Sequence, residues 1–304
     1  MGFSGRLDLM SSDISTELVG EHVLQGGAER RVTTIAAPSF SPLRLLGGVR
    51  MLAQYRDLLY TLSVHRIKVR YKQSVLGIAW AILQPLSLML IYTIIFSYIA
   101  RMPSDGAPYA IFAYAALLPW TGFSNALTNA TNSLVSHSNL VTKVYFPREI
   151  LPLTYVFAAV FDFLIASTVF IGLMIYYRVP LTINALYSVP IIVVLMIFTT
   201  AMAFLFSATQ VRFRDIGVAM PLLLQLWMFA TPVIYPLSAV PRRLLPFYLL
   251  NPMAGLIESF RQVMLYGVRP DLRLLGIAAL LSTLLLVAFY IYFKRVEATV
   301  ADII

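Results

Sequence analysis

The chain contains no cysteine among its 304 residues, so it has neither a disulfide nor a thiolate to act as nucleophile or metal ligand. Charged residues make up only 12% of the composition, and the three histidines, His22, His65 and His137, stand far apart. A G-x-x-x-x-G-K-[ST] loop is absent, which excludes ATP binding through that motif. An H-E-x-x-H motif or Cys/His group for a metal is absent too. These absences argue against an enzyme, and we expect no catalytic residue, cofactor or metal ligand.

Apolar sequence is abundant instead, with 59% hydrophobic residues and a mean hydropathy of +0.79. A membrane span needs roughly 20 mostly apolar residues. Backbone groups in lipid must bond internally, and the apolar runs do not alternate as barrel strands do, so we predict helices. The predicted fold class is an all-α membrane protein with six spans. They cover residues 75–100, 109–135, 151–177, 187–209, 217–236 and 273–293.

The distribution of Lys and Arg predicts which ends of the spans face the cytoplasm. Basic residues are concentrated before the first span, in the loops 136–150 and 210–216, and in the tail. By the positive-inside rule both termini are cytoplasmic, although four arginines in 237–272 run against it. The net charge of +9 then reflects topology and anionic headgroups, and we predict no nucleic-acid partner. The predicted regions are a flexible extension (1–40), an amphipathic region (41–74), the membrane domain (75–293) and a tail (294–304).

The amphipathic region carries apolar residues at helical spacing, among them Tyr55, Leu59 and Leu62, with basic residues around them. A basic helix of this kind lies in the headgroup plane. It serves either as a topology anchor or also as a surface for a cytoplasmic partner, just as residues 1–40 are either a disordered tail or a docking arm. The interface-helix residues that we select are Tyr55, Arg56, Leu59, Arg66 and Arg70.

Asp162 is the one carboxylate well inside a predicted span. An ionisable group at that depth costs on the order of 2.5–3.5 kcal/mol. It could be protonated, face water in a pathway, or pair with a polar side chain of another helix. A transport role would favour a proton-coupled carrier or channel acting without an ATPase, but no inverted repeat is visible. The candidate partners are Asn125, Asn129, Asn132 and Gln225.

Prolines punctuate residues 231–272, and each disfavours helix in the residue before it. Two apolar pieces between them, Leu244–Leu250 and Met253–Leu265, are too short to span. We predict two re-entrant half-helices that form an outer gate in 237–272, the alternative being a loop packed on the bundle. Glu258 and Arg261 are three apart and predicted to pair, unless Glu258 only neutralises a basic cluster. The predicted gate residues are Tyr235, Asn251, Glu258 and Arg261.

Six strings occur in the order found in ABC-2 type permeases that export bacterial polysaccharides, and the chain resembles that family over roughly residues 45–300. The likeness is greatest to exporters of lipid-linked O-antigen, with capsule and teichoic acid exporters as near relatives. The strings are RYKQSVLG at 70–77 followed by Trp80 and Gln84-Pro85, LPW at 118–120, NLVTKVYFPR at 139–148, VRFRD at 211–215, PVIYP at 232–236 and NPM at 251–253.

The resemblance implies a homodimer in the bacterial inner membrane, bound to two copies of a separate ATPase that carries ATP and magnesium. The substrate would be a polysaccharide on a polyprenyl pyrophosphate carrier, moved outward through a channel at the dimer interface. The interface helix and the loop after span two would contact the ATPase. Exposed ion pairs contribute little, so we expect the apolar residues of this loop to matter most. The loop residues are Asn139, Leu140, Lys143, Val144, Tyr145, Phe146, Pro147, Arg148 and Glu149.

Aromatic side chains are expected along the sugar pathway, because the apolar faces of sugar rings stack on them. Aromatics also populate helix cores and membrane interfaces, so most of those in this chain have such roles. The residues predicted to line the pathway are Tyr92, Trp120, Phe123 and Trp227.

Overall fold

The computed structural model describes residues 52–72, 76–144 and 146–303, with side chains described up to residue 297. The predicted extension 1–40, the start of the amphipathic region and Tyr145 lie outside these ranges. All regular elements of the described ranges are helical. They are α1 (Arg56–Lys72), α2 (Ala79–Tyr92, continued by a π-helix Thr93–Ile99), α3 (Tyr109–Thr131), α4 (Ser138–Lys143), α5 (Ile150–Tyr176), α6 (Ser188–Arg212), α7 (Asp215–Phe229), α8 (Leu245–Leu249), α9 (Pro252–Met264) and α10 (Leu272–Ile303).

Helix α3 forms the centre of the fold. Nearly all of its side chains are buried, and α2, α5, α6, α7 and α9 pack against it. A run of small residues around Ala115 lets neighbouring helices approach closely, while the Tyr114 ring stacks on Phe170 of α5. Helix α10 packs mainly along α6. The core of the subunit therefore surrounds the second predicted span.

Four of the six predicted spans are long and apolar enough to cross a membrane: Ala79–Ile99, Ile150–Tyr176, Ile183–Arg212 and Leu272–Glu297. Helix α3 has 23 residues, but polar side chains near its end lower its hydropathy. The predicted fifth span, 217–236, is wrong at its end, because α7 has 15 residues and stops at Phe229. At 1.5 Å per residue it reaches only about 22 Å. The six-span arrangement stays a prediction.

Large apolar side chains cover the outer faces of several helices. On α7, Val218, Leu222 and Leu226 are exposed, and on the π-helix Tyr98 and Ile99 are almost fully so. Soluble monomers rarely expose continuous apolar surface of this kind. The described surface is therefore that of a chain surrounded by lipid or by partner subunits.

Helix α1 packs against α5. Tyr55, directly before the helix, and the helix residues Leu58, Leu59 and Leu62 are half-buried against a core cluster that includes Ile150 and Leu151 of α5, on the face that the sequence pattern predicts. The chain leaves α1 for α2 through Gly77, whose φ of +49° lies in the left-handed region that favours glycine. The glycine thus permits the turn that directly precedes α2.

The segment between α7 and α10 contains two short helices, as the prolines predict. Helices α8 and α9 match the predicted half-helices to within a residue or two at each end. Most of α9 is buried, and it contacts α3, α6 and α10. Close packing of α9 is expected both for re-entrant half-helices and for a loop packed on the bundle. The depth of α8 and α9 in the membrane therefore stays a prediction.

Candidate functional site

The segment 136–149, here called the coupling segment, joins α3 to α5. A 3-10 turn, Val135–His137, leads into the short helix α4. Val144 then has an extended backbone conformation, and Arg148 and Glu149 form a turn before α5. Five of its described residues are exposed: Ser136 near its start and four in and directly after α4, which we call the tip. The tip consists of Asn139, Thr142, Lys143 and Val144.

The rest of the segment is buried and anchors the loop. Phe146 is 6% exposed and belongs to a core cluster with Val141, Ile150 and Phe293. Pro147 is also buried, and Leu140 packs on the same cluster. The expectation that Phe146 forms a surface for the ATPase is therefore wrong for the described conformation, because the apolar ring packs inside its own subunit. Val144 remains the apolar residue of the tip.

The charged residues at the end of the segment bind α10. The carboxylate of Glu149 is fully buried, forms an ion pair with Lys294 and accepts a hydrogen bond from the Tyr290 hydroxyl at 3.1 Å. Lys294 Nζ also lies 2.7 Å from Glu297 Oε2. The Arg148 amide donates to Glu297 Oε1 at 3.2 Å, and Arg148 Nη1 donates to the Glu297 carbonyl at 2.5 Å.

These five residues, Arg148, Glu149, Tyr290, Lys294 and Glu297, are called the base clamp. Arg148 and Glu149, two of the predicted coupling-loop residues, thus bind within the chain: Arg148 through a backbone carbonyl and Glu149 through Oε1, while Glu149 Oε2 accepts no hydrogen bond from the described residues. Removing one partner of a buried pair leaves the other uncompensated and is costly. The coupling segment is therefore firmly joined to α10, a contact that the sequence did not reveal, although Lys294 and Glu297 stand at helical i, i+3 spacing.

Helix α1 reaches the coupling segment through Arg66. Arg66 Nη2 lies 2.6 Å from His137 Nε2, and its guanidinium stacks 4.2 Å above the Tyr155 ring of α5. Burial lowers the pKa of the His137 imidazole, an effect partly offset by its bond to the Ser133 carbonyl. A neutral imidazole that donates from Nδ1 to Ser133 can accept from Arg66 at Nε2. Arg66 thus links α1, α5 and the coupling segment.

Asp162 of α5 binds two neighbouring residues of α1, Arg70 and Tyr71. The prediction of pairing between helices holds, but the described bonds of Asp162 include none of the proposed amide partners, Asn125, Asn129, Asn132 and Gln225. Asn125 bonds to Gln84 at 3.3–3.5 Å, and Asn129 donates to the Asn125 carbonyl at 2.6 Å. Asn132 instead accepts from Gln210 at 3.2 Å. A charged partner from α1 neutralises a buried carboxylate better than an amide does. Across the described residues, no group of three or more acidic or histidine side chains is suited to a metal ion.

At the opposite end of the bundle, Arg261 is fully buried and donates to backbone carbonyls. Three acceptors, Pro232 at 2.8 Å, Val233 at 2.6 Å and Tyr235 at 3.3 Å, belong to residues 230–236, here called the proline turn. The fourth, Phe112 of α3, accepts at 3.3 Å and lies under the guanidinium with its ring 3.6 Å away. The planar fork of arginine suits several acceptors at once.

No ion pair within 4.0 Å joins the described residues Glu258 and Arg261, so the predicted direct contact is absent within the subunit, although their charges interact at longer range. Glu258 instead lies 3.5 Å from Gln262 Nε2. The physical reason is that Arg261 points into the core, where the carbonyls of the proline turn satisfy its donors. The spacing of three residues predicted that both side chains lie near one face of α9. It could not reveal that the backbone carbonyls of the proline turn lie next to Arg261.

The other two predicted gate residues also contact the proline turn. Asn251 Nδ2 donates to Thr231 Oγ1 at 2.9 Å, while Asn251 Oδ1 caps α9 and accepts from Trp227. The Tyr235 hydroxyl bonds to that of Tyr248 at 2.8 Å and to the Phe229 carbonyl at 2.9 Å. Tyr235, Asn251 and Arg261 therefore act together to fix this turn.

Three of the four predicted pathway aromatics form one cluster with Phe198. Trp120, Phe123, Trp227 and Phe198 pack with ring centroids 5.3–6.5 Å apart. Trp120 and Phe123 are buried in the core, so the structure assigns them to packing within the subunit instead of to its surface. Tyr92 and Trp227 are half-buried and keep part of their surface accessible.

Comparison of the sequence with known proteins shows the family to which the chain belongs. Residues 57–265 match the ABC-2 type transporter family, a range that contains the coupling segment and the proline turn but ends before the α10 residues of the base clamp. A Myxococcus xanthus protein named O-antigen export system permease protein RfbA is 34% identical over 82% of this chain and 96% of its own length. A Klebsiella pneumoniae protein of the same name is 32% identical, covering 70% and 82%. The Polysialic acid transport protein KpsM of Escherichia coli is 24% identical, covering 78% and 93%.

Proposed function

Since this chain belongs to the ABC-2 type transporter family, we propose that it is the membrane subunit of an ATP-driven polysaccharide exporter. The relatives named for O-antigen export support a lipid-linked O-antigen, carried on polyprenyl pyrophosphate, as the substrate. ATP and magnesium are bound by a separate ATPase, and this subunit performs no chemistry. It supplies the path and couples the path to hydrolysis.

The assembly that we propose is a homodimer with two ATPase subunits in the bacterial inner membrane. Six spans cross the bilayer with both termini in the cytoplasm, as the basic loops indicate. The exposed apolar faces of α2 and α7 offer surface to lipid and to the second subunit. The polysaccharide moves outward through a channel between the two subunits.

The observation that carries this proposal is the two-part construction of the coupling segment. Its tip is exposed, whereas its base is buried through Phe146 and bound to α10 through the base clamp. A force applied to the tip therefore reaches α5 by covalent continuity and α10 by the ion pairs. This arrangement suits a loop that transmits movement from an ATPase into the bundle.

The alternative is a proton-coupled carrier that acts without an ATPase. Its main support was Asp162, an intramembrane acid for which the sequence showed no charged partner. Asp162 has two partners from α1, Arg70 and Tyr71. An ion pair explains the buried carboxylate as a link between the interface helix and α5. No other feature of the described residues favours the carrier.

The proposal is tested by reconstituting the chain with its ATPase and measuring ATP hydrolysis and glycan transfer. Val144→Asp places a charge on the apolar part of the tip, and we expect about a tenfold loss of ATPase affinity with a parallel loss of export. Val268→Asp is the matched control, because Val268 is similarly exposed at the other end of the bundle. Glycan transfer driven by a proton gradient in the absence of the ATPase would overturn the proposal.

A further inference from the structure

A cavity of about 590 Å³ lies between α1 and the helices α3 and α5. Its polar lining comes from α1, α3, α5 and the coupling segment, and its one carboxylate, Asp162, is paired with Arg70. The polar residues are His65, Arg66, Arg70, Tyr71, Asn125, Asn129, His137, Tyr155 and Asp162. The remaining wall is apolar, with Leu62, Ala158 and Ala159 among its residues. The volume is typical of small-molecule sites. The cavity thus combines two arginines, one of them paired with a carboxylate, and amide donors with an apolar surface.

The two arginines of the cavity differ in how their charges are balanced. Arg70 is paired with Asp162, whereas no described carboxylate lies within 4.0 Å of Arg66. Arg66 is instead positioned by His137 and by the Tyr155 ring, and its named bonds use Nη2 alone. A guanidinium has five N–H donors. Donors of Arg66 therefore remain to bind a ligand, and burial lowers the pKa of this group as expected for an uncompensated charge.

We propose that this cavity binds the phosphate group of a lipid, with Arg66 as its main ligand. The planar fork of arginine matches phosphate oxygens in a bidentate manner. The amide nitrogens of Asn125 and Asn129 each use one hydrogen in the bonds described, which leaves a second hydrogen for an acceptor. The apolar wall suits the part of the lipid next to the headgroup.

The position of the cavity selects a lipid as the source of the phosphate. Helix α1 is amphipathic and basic and precedes the first span, so it lies at the level of the headgroups. A phosphate there belongs either to an ordinary anionic phospholipid or to the diphosphate of a lipid-linked substrate. The second source rests on the proposed function, while the first requires only a membrane.

Occupancy of the cavity has a mechanical consequence. A phosphate on Arg66 contacts α1 and α3 and lies beside His137, at the start of the coupling segment. It therefore strengthens the attachment of α1 to α3 and to the coupling segment, whose tip carries the proposed ATPase contact. Lipid binding and the position of the coupling segment are linked on this account.

The experiment measures lipids retained by the purified dimer in native mass spectrometry. The probes are phosphatidylglycerol, a polyprenyl diphosphate, and diacylglycerol as a lipid without phosphate. Arg66→Gln should lower retention of the phosphate-bearing lipids about tenfold, and Arg66→Lys, which keeps the charge but not the fork, should lower it less. Arg56→Gln is the control, since the Arg56 side chain lies on the same helix and is 82% exposed.

The outcomes are distinct. A stronger preference for the polyprenyl diphosphate indicates the headgroup of the substrate, and equal retention of both phosphate lipids indicates a general phospholipid site. Equal loss from Arg56→Gln and Arg66→Gln, or no loss from either, overturns the proposal, provided that both variants elute as folded dimers. ATPase binding is measured on the same samples, so failure of the exporter assignment is seen separately from failure of the lipid site.

Discussion

The two ends of the bundle each contain a fully buried charged side chain, Glu149 at the coupling segment and Arg261 at the proline turn. Glu149 is neutralised by Lys294, which is 29% exposed and also contacts Glu297. Arg261 is held by four backbone carbonyls. A partly exposed ion-pair network can exchange partners, whereas carbonyls fixed in a turn cannot. We infer an adjustable coupling end and a rigid proline turn.

The largest effect is expected for Arg261→Met, which removes the donor shared by four buried carbonyls. Leaving buried acceptors without partners costs about 1–3 kcal/mol each and the losses are not additive, so we expect about 5 kcal/mol of destabilisation. Thermal unfolding of the detergent-purified dimer measures it. Arg242→Met serves as the control, because Arg242 is exposed in the same loop region. Similar stability of the two variants would remove the contrast between the two ends.

Phe146→Ala should destabilise the coupling end by about 3 kcal/mol, the cost of a cavity in a packed core. The reason is that the ring packs against Val141, Ile150 and Phe293. Folded protein that survives purification should still bind the ATPase through the tip. If Phe146→Ala retains full stability but loses ATPase binding, the ring belongs to the interface and its burial in the subunit is not maintained in the complex.

The base clamp should show a smaller effect with strong coupling between its members. Glu149→Gln and Lys294→Met are each expected to cost about 2 kcal/mol, and the double variant less than their sum, because each single change strands the other charge. In the assembled exporter both should retain ATP hydrolysis while glycan transfer falls. Additive losses in the double-mutant cycle would show that the clamp does not act as a unit.

The helices were predictable from the sequence, but the contacts that organise both ends were not. Apolar runs located the four helices that are long and apolar enough to cross a membrane, and prolines located the short helices α8 and α9, since both signals are local. The partners of Asp162, Glu149 and Arg261 lie between 26 and 149 residues away along the chain. The sequence suggested amides as partners of Asp162 and a near neighbour as the partner of Arg261, and it assigned Glu149 to the ATPase-coupling loop. Pairing over such separations depends on helix packing, which periodicity does not encode.

The aromatic residues were predicted wrongly for a different reason, because the sequence did not show which of them are buried. Trp120 and Phe123 were predicted to line a sugar pathway because of their chemistry, and packing places them in the core with Phe198. Composition identifies which residues can stack on a sugar but not which face of a helix they occupy. Helix α3 is buried on nearly all sides, so few of its aromatics reach a surface.

The central claim is that the tip of the coupling segment docks on an ATPase, and the absence of native cysteine allows a direct measurement. Lys143→Cys introduces one thiol at the exposed tip, and Val268→Cys introduces one at the opposite end as a control. Labelling with a membrane-impermeant maleimide is compared in inverted vesicles with and without the ATPase. We predict that Lys143→Cys is labelled in inverted vesicles and protected by the ATPase, while Val268→Cys is labelled only from the outside. Equal labelling of Lys143→Cys with and without bound ATPase would contradict the account.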